Sequence, residues 1–161
     1  ATLYNDSIVA QIVKRFQKED AVVIYVPDHG EECYEEDRGF ICRNHSANID
    51  WPLAHYEFEI PFWIYCSPKY IRNHRDIYRQ IRKAKDKRFM TDALPHLLLY
   101  LAGIETPTYK EEYNILSPKY NEMRPRILKN SADYDQLRDE HLEKVEKEKS
   151  KKEKSKKGDK K

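Results

Sequence analysis

The chain has 161 residues, of which 39% are apolar and 36% are charged. Its apolar runs, such as residues 21–26 and 97–102, are far shorter than the ~20 residues that a membrane-spanning helix needs, so no stretch is predicted to cross a bilayer. The formal charge of +2 averages a net +4 over residues 137–161 and a net −2 over residues 1–136. We therefore predict a globular part over 1–136 and a Lys/Glu-rich tail over 137–161, helical at first and then disordered.

The first predicted elements are those of an α/β unit. Asn5 or Asp6 is expected to cap a helix, because apolar residues follow at a period of about 3.6 residues. This stripe consists of Ile8, Val9, Ile12, Val13 and Phe16. The β-branched run at 21–26 then predicts a strand buried on both faces. A helix followed by a buried strand is typical of the α/β class.

The middle of the chain alternates irregular and regular segments. Residues 30–58 are polar and punctuated by Gly, Asn and Pro, which predicts a long loop with a functional reason to be there. Residues 60–65 predict a second strand, with Pro61 near its start. A basic amphipathic helix is expected from about residue 70 to 85, and its buried face should hold Ile71, Ile77, Tyr78 and Ile81.

One more helix is predicted before the pattern becomes irregular. Thr91 or Asp92 is expected to cap it, Pro95 fits its first turn, and Gly103 is a typical residue at its end. Residues 104–135 show no clear period and suggest a segment that wraps the surface of a domain.

The most informative residues are Asp28 and His29, which follow the first strand together with Gly30 and Glu31. Ligands of open α/β sheets bind at the carboxyl ends of strands. A carboxylate beside an imidazole can bind one divalent cation there, and Gly30 would let the backbone turn sharply. The alternative is a turn that ends the strand, in which Asp28 caps a neighbour and His29 points to water.

Two further imidazoles, His45 and His55, lie in the same polar loop and could fold back over the cation. Hydrogen bonding within an ordered loop would explain either histidine equally well. A structural zinc site made of Cys33, Cys42 and His45 together with His29 is a further alternative, although its spacing is not that of a zinc finger. A disulfide between the two cysteines is another.

Four runs of residues together resemble a known family. They are Val-Val-Ile-Tyr-Val-Pro-Asp-His-Gly-Glu-Glu at 22–32, Arg-Gly-Phe at 38–40, Asn-His at 44–45 and Tyr-Glu-Phe-Glu-Ile-Pro-Phe-Trp-Ile-Tyr at 56–65. They are similar to the carboxyl-terminal part of sulfatase-like phosphoethanolamine transferases, which belong to the alkaline phosphatase superfamily. The stretches at 90–96, 101–104 and 114–117 resemble the closing helix of that family and the loop after it. The resemblance implies the C-terminal portion of a three-layer α/β/α domain.

The function that the resemblance implies is a zinc-dependent transfer reaction at the periplasmic face of the bacterial inner membrane. Such enzymes move phosphoethanolamine from phosphatidylethanolamine through a covalent enzyme intermediate to lipopolysaccharide, either lipid A or a core sugar. Asp28 and His29 match the metal ligands, and His45 matches a histidine that contacts a second metal or the transferred phosphate. Glu31 and His55 are candidates for substrate binding. Where many members have a further histidine, this chain has Glu59.

The resemblance also implies that parts of the active site lie upstream of this sequence. The family's nucleophilic Thr and first acidic ligand precede the Asp-His-Gly strand, as do its membrane helices. The chain begins at Ala1 without a Met, and we expect a fragment that has half a metal site, no nucleophile and no activity alone.

The same residues also allow other interpretations of the function. A sulfatase- or phosphatase-type hydrolase of the same superfamily would share the metal pair. The segment Cys66-Ser67-Pro68 superficially resembles the formylglycine motif of sulfatases but lacks its Arg. The Lys-rich tail could bind nucleic acid or anionic lipid, but its interspersed Glu residues repel the phosphates of both, and it has no aromatic residue to stack on bases. We therefore expect a solvated terminal extension.

Overall fold

The computed structural model describes residues 2–42 and 48–158, and for residues 2, 36, 40–42 and 152–158 it describes the backbone alone. The chain divides into two compact units. Unit 1 consists of Ala1–Val26 and Pro61–Arg124, and unit 2 consists of Pro27–Ile60 and Pro125–Lys161. Helices alternate with small two-stranded sheets, as expected for an α/β chain. The three-layer arrangement and the boundary at residue 136 stay predictions.

Unit 1 begins with helix α1 (Thr2–Phe16) and strand β1 (Val22–Tyr25), and β1 pairs antiparallel with β4 (Trp63–Cys66). Helix α1 begins before Asn5 and Asp6, so the prediction that either residue caps it was wrong. Strand β1 is half-buried rather than buried on both faces, because β4 is its one partner strand in the described part of the chain.

The stripe of α1 is only partly covered. Val9 and Val13 are half-buried, whereas Ile8, Ile12 and Phe16 are 38–44% exposed. Only the two valines of this stripe are therefore partly shielded from solvent.

The predicted basic helix is two helices, α3 (Pro68–Asn73) and α4 (Arg75–Ala84). The break falls at His74, whose backbone is not helical (φ −125°, ψ 50°). The carboxylate of Asp20 holds the residues at this break. It accepts a hydrogen bond from Asn73 Nδ2 at 2.8 Å and lies 3.4 Å from His74 Nε2. A contact with a residue far away in the sequence thus sets a boundary that periodicity does not show.

The core of unit 1 forms between α4 and α5 (Leu94–Ala102). Its buried members are Ala84, Leu97, Ile115 and Leu116, and half-buried Ile77 and Ile81 pack against them. Pro95 lies in the first turn of α5 and Gly103 ends it at φ 66°, as predicted.

The start of α5 differs from the prediction. A short 3-10 helix, Thr91–Ala93, precedes it, and the residue at its N-cap is Ala93. Asp92 instead makes a two-pronged ion pair with Arg124, at 2.5 and 2.7 Å. The Arg124 hydrogen bond lowers the pKa of Asp92 against the opposing effect of burial.

Unit 2 contains the strands β2 (Glu32–Cys33) and β3 (Phe40–Cys42), the helix α2 (Trp51–Phe58), the strands β5 (Ile127–Leu128) and β6 (Ala132–Asp133), and the helix α6 (Tyr134–Gly158). The prediction of an irregular loop over 30–58 was therefore wrong, because a hairpin and a helix lie within it. Asp50 caps α2 by accepting the Leu53 amide at 3.1 Å, and Pro52 lies in its first turn.

The core of unit 2 joins α2 to the start of α6. Ala54, Leu128 and Tyr134 are buried, and Trp51 and Leu137 pack against them. Helix α6 therefore starts before residue 137, and its first turns contribute to the core, whereas residues 146–151 are exposed. In the described ranges, no helix combines the length and the apolar character needed to cross a bilayer.

The buried hydroxyl of Ser67 contacts three backbone groups of two segments of unit 1. Its Oγ accepts the Tyr70 amide at 3.0 Å and so caps α3. It also donates to the Glu19 carbonyl at 2.6 Å and lies 3.3 Å from the Ala21 amide. The turn before β1 and the start of α3 therefore share one buried polar atom.

Replacing this hydroxyl should destabilise the chain. We expect Ser67→Ala to lower the free energy of unfolding by about 1–3 kcal/mol, because it removes the cap and leaves buried backbone groups unsatisfied. Urea unfolding followed by circular dichroism measures the change. Ser7→Ala is the matched control, since Ser7 is exposed within α1 and Ala favours a helix. Equal losses in both variants would contradict the assignment.

Candidate functional site

The Asp28–His29 pair follows β1 in the chain and has a geometry suited to a cation. His29 Nδ1 lies 2.7 Å from the Gly30 carbonyl oxygen. Because a carbonyl can only accept, Nδ1 carries a proton, and in the neutral ring Nε2 then presents a lone pair. That Nε2 lies 3.5 Å from Asp28 Oδ2. The carboxylate is 87% exposed and the imidazole side chain 24% exposed, so the oxygen faces solvent while the ring is held.

Gly30 is packed against the backbone at the end of α2. Its amide donates to the Glu57 carbonyl at 2.8 Å. A Cβ atom at Gly30 would lie 2.1 Å from the Tyr56 carbonyl oxygen, a distance that no folded structure tolerates. We predicted that Gly30 serves a sharp turn, but the reason for a glycine here is this close approach of two backbones.

A buried ion pair supports the segment after this loop. Glu32 is fully buried in β2, and its Oε1 lies 2.7 Å from Arg38 Nε. Burial raises the pKa of Glu32, and the Arg38 charge only partly offsets this. Arg38 Nη1 also lies 2.6 Å from Asp50 Oδ2. Burial would raise the pKa of Asp50, but hydrogen bonds from Arg38 and the Leu53 amide lower it. Arg38 therefore ties the hairpin to the start of α2.

The charge of this region favours a cation. Residues 27–60 contain nine acidic side chains and two arginines. Glu57 is 3% exposed, and Lys129 Nζ lies 3.8 Å from its Oε2. A segment so rich in carboxylates attracts a divalent ion and repels a phosphate group unless a cation intervenes.

His55 lies in α2 rather than in an irregular loop. Its Nδ1 is 3.0 Å from Glu59 Oε1, and its ring stacks on Trp51 with centroids 5.5 Å apart. The ring of His141 stacks on Trp51 at 5.3 Å. Glu59 also accepts a short hydrogen bond from the Tyr134 hydroxyl. Burial opposes ionisation of Glu59, but the hydrogen bonds from His55 and Tyr134 lower its pKa.

The predicted site residues differ in where the structure places them. It brings Asp28 and His29 together, and it places Glu31 on the surface just after Gly30. His45 lies outside the described residues. Among the residues that the structure describes, no group of three or more His, Cys, Asp or Glu side chains could hold a metal ion. The assignment of Asp28 and His29 as metal ligands therefore stays a prediction.

The cysteine-based alternatives have a mixed outcome. The side chain of Cys42 and all of His45 lie outside the description, so neither a zinc site with Cys33 nor a disulfide is tested. Cys66 is buried at the end of β4, and burial raises the pKa of its thiol. A buried thiol of raised pKa is inert, which agrees with a structural role for Cys66.

Sequence reasoning missed the supporting residues of the site, namely Glu32, Arg38 and Asp50. One signal was available for Asp50. An Asp followed two residues later by Pro is a common start of a helix, and it marks α2 inside the polar segment. Nothing in the sequence pairs Glu32 with Arg38, because a charged residue is expected at the surface.

No protein-family model matches the sequence. The chain is 31% identical over 145 residues to phosphoethanolamine transferase EptC of Escherichia coli O18:K1:H7, strain RS218 / NMEC. It is 30% identical over 145 residues to phosphoethanolamine transferase EptC of Escherichia coli K12. Each alignment covers 85% of this chain, which spans 24% of the length of these relatives.

Two solved structures are also similar. Both are crystal structures of the C-terminal periplasmic domain of EcEptC from Escherichia coli, one of them in complex with Zn. Each has a TM-score of 0.65 and 28% sequence identity, and the match covers 84% of this chain and 38% of the solved one. The predicted α/β fold class and the resemblance to phosphoethanolamine transferases are thereby confirmed. Membership of the alkaline phosphatase superfamily stays a prediction.

The close approach at Gly30 makes a direct prediction. We expect Gly30→Ala to lower the free energy of unfolding by about 2 kcal/mol or more, because the new methyl group meets backbone that cannot move aside. Gly39→Ala is the control, since no atom lies within 4 Å of its Cβ and only its φ of +81° opposes the change. That variant should lose about 1 kcal/mol. Chemical unfolding of both variants tests this, and a milder loss at Gly30 would contradict it.

The Tyr134–Glu59 hydrogen bond predicts a loss of stability at high pH. Burial, and then the Glu59 carboxylate, raise the pKa of Tyr134 from 10.0 to about 12. Between these values the unfolded chain releases the proton while the folded chain keeps it, so stability falls as pH rises through this window.

Unfolding experiments on both sides of the window measure this effect. Over that range the wild type should lose roughly 1–3 kcal/mol more than Tyr134→Phe, which has no hydroxyl to titrate. A parallel decline of the two proteins would show that Tyr134 is not the titrating group.

Proposed function

We propose that this chain, which is homologous to phosphoethanolamine transferase EptC, is part of a zinc-dependent enzyme that transfers phosphoethanolamine. The donor is phosphatidylethanolamine, and the acceptor is a lipid A or core sugar position of lipopolysaccharide. The group passes through a covalent intermediate on a nucleophile that this chain does not supply. The enzyme acts at the periplasmic face of a bacterial inner membrane, to which helices outside this sequence anchor it.

The observation that carries this proposal is the geometry of Asp28 and His29 in a chain homologous to EptC. The two ligand atoms lie 3.5 Å apart. A tetrahedral zinc ion ~2.0–2.2 Å from each ligand needs them about 3.4 Å apart, so the pair fits. The Gly30 carbonyl fixes the tautomer that leaves Nε2 available, as outer partners of zinc-bound histidines do. The similar EcEptC domain solved in complex with Zn agrees with this choice of metal.

When bound, the zinc ion neutralises phosphate charge and lowers the pKa of an attacking hydroxyl. The chain's own residues position the reaction. Asp28 contributes an exposed carboxylate and His29 an oriented nitrogen, while Gly30 holds both against α2. His45 is proposed to contact the transferred phosphate or to protonate the leaving group.

Glu31 and His55 are proposed to bind substrate. Glu31 is an exposed carboxylate two residues beyond His29, where it can attract the ammonium group of ethanolamine. His55 is 43% exposed and its Nδ1 donates to Glu59, so its Nε2 can accept a hydrogen bond from a sugar hydroxyl.

The experiment that tests the proposal uses the complete enzyme that contains this chain. We expect Asp28→Asn and His29→Gln each to reduce the zinc content of the purified protein and to lower kcat at least about a hundredfold. Zinc content is a readout that does not depend on activity. The isolated chain should bind zinc weakly, because two ligands do not form a closed site.

The controls are Asp76→Asn and His74→Gln, which change the same residue types on the surface of unit 1 and should leave zinc content and kcat unchanged. A labelled donor lipid separates the reaction classes. Label that appears on lipopolysaccharide supports transfer, whereas label released only as free phosphoethanolamine indicates the hydrolase alternative. Full activity and zinc content in Asp28→Asn and His29→Gln would refute the proposal.

A further inference from the structure

The helices α3 and α4 of unit 1 carry a strongly basic surface that the proposed chemistry does not use. Residues 69–85 contain seven basic side chains and one acidic side chain. All seven are exposed, and we call them the basic face: Lys69, Arg72, Arg75, Arg79, Arg82, Lys83 and Lys85.

The basic face is one-sided because of helical periodicity. In α4, Arg75, Arg79 and Arg82 recur at intervals of four and three residues and so share one side of the helix. Ile77 and Ile81 lie on the opposite side and pack into the core of unit 1. The core therefore fixes α4 with its arginines directed to solvent.

Few carboxylates neutralise this surface. Two exposed ion pairs involve it, Arg79 with Asp76 at 3.1 Å and Lys85 with Asp86 at 3.2 Å. The other five members of the basic face make no ion pair with any residue that the structure describes; these are Lys69, Arg72, Arg75, Arg82 and Lys83. Outside residues 69–85, unit 1 has eight basic and nine acidic side chains. The positive charge of this unit is therefore concentrated on one surface.

The first part of the tail, residues 137–151, differs from the basic face in this respect, since the net charge of +4 comes from residues 152–161. Over residues 137–151, five basic side chains alternate with five acidic ones. Lys147, for example, pairs with Glu143 at 3.2 Å. The Lys-rich helix α6 is therefore neutral over this length and attracts anions less than α3 and α4 do.

We propose that the basic face docks unit 1 on an anionic bilayer surface. A helix that buries its apolar side in a protein core and presents several Lys and Arg side chains outward binds lipid headgroups through their charge, at about 1 kcal/mol per basic residue. The seven side chains are spread over two helices of about 9 and 15 Å, which suits a plane of headgroups rather than a single phosphate.

The choice of a bilayer rests on the proposed function, in which the donor is a phospholipid. Nucleic acid is the other polyanion that such a surface could bind. Proteins that bind single strands place aromatic side chains among their basic residues, but Tyr70 is buried and Tyr78 half-buried beneath the basic face.

Vesicle cosedimentation of the full chain tests the docking surface. The vesicles contain phosphatidylcholine with or without phosphatidylglycerol, and neither phosphatidylethanolamine nor metal is present. Failure of the transfer reaction therefore leaves this result unaffected. The wild type should bind the anionic vesicles, dissociate from them as the salt concentration rises, and not bind vesicles of pure phosphatidylcholine. The fourfold variant R72Q/R75Q/R82Q/K83Q should lower the partition coefficient at least about tenfold.

The matched control removes the same charge from the tail. The variant K144Q/K147Q/K149Q/K151Q should retain most of the binding. Gln resembles Arg and Lys in helix propensity, so both variants should keep the circular dichroism spectrum of the wild type. If the first variant fails to fold, K69Q/R79Q/K85Q replaces it on the same surface.

Three results would overturn the docking surface. The first is a decrease of the vesicle partition coefficient by less than tenfold in the basic-face variant. The second is an equal decrease in the tail variant, and the third is tighter binding of the wild type to a DNA duplex than to the anionic vesicles.

Discussion

The contact on which the candidate site depends is the approach of the Gly30 backbone to the last turn of α2. The amide of Gly30 bonds to the Glu57 carbonyl at 2.8 Å, and no side chain fits between Gly30 and the Tyr56 carbonyl. This contact fixes where the loop after β1 lies in unit 2. The same Gly30 residue orients His29 through its own carbonyl oxygen. One glycine thus positions the Asp28–His29 pair, since only a residue without a side chain allows this approach, and its carbonyl oxygen orients the His29 ring.

Charge is arranged in opposite ways in the two units. In unit 2, the segment 27–60 is strongly acidic, and Arg38 compensates the buried Glu32 while it holds Asp50 at the start of α2. A buried carboxylate that lost Arg38 would be left as an uncompensated charge, which is far costlier than the pair itself. In unit 1, the excess charge is positive and exposed on α3 and α4. The acidic segment suits a cation, and the basic face suits an anionic surface.

The parts of the fold that local pattern controls could be predicted. The strand before Asp28, the strand near residue 63 and the helix ending at Gly103 all follow from β-branched runs, apolar spacing and a glycine at φ > 0. The errors occurred where a distant residue intervenes. Asp20 fixes the break at His74 between α3 and α4, and the polar segment 30–58 folds because Arg38 and the unit 2 core hold its hairpin and α2.

For the site, the sequence by itself determined the Asp28–His29 pair, because adjacent residues are near each other in any fold and a carboxylate with an imidazole suits zinc. Only the tertiary structure decided what holds that pair. Glu32, Arg38, Asp50 and Glu57 are ordinary charged residues in the sequence. The burial of Glu32 and Glu57 and the pairing of Arg38 with Glu32 and Asp50 arise when β2, β3 and α2 come together. The reason is physical: the pKa and the role of a charged side chain depend on its neighbours in space, and the order of residues along the chain does not contain those neighbours.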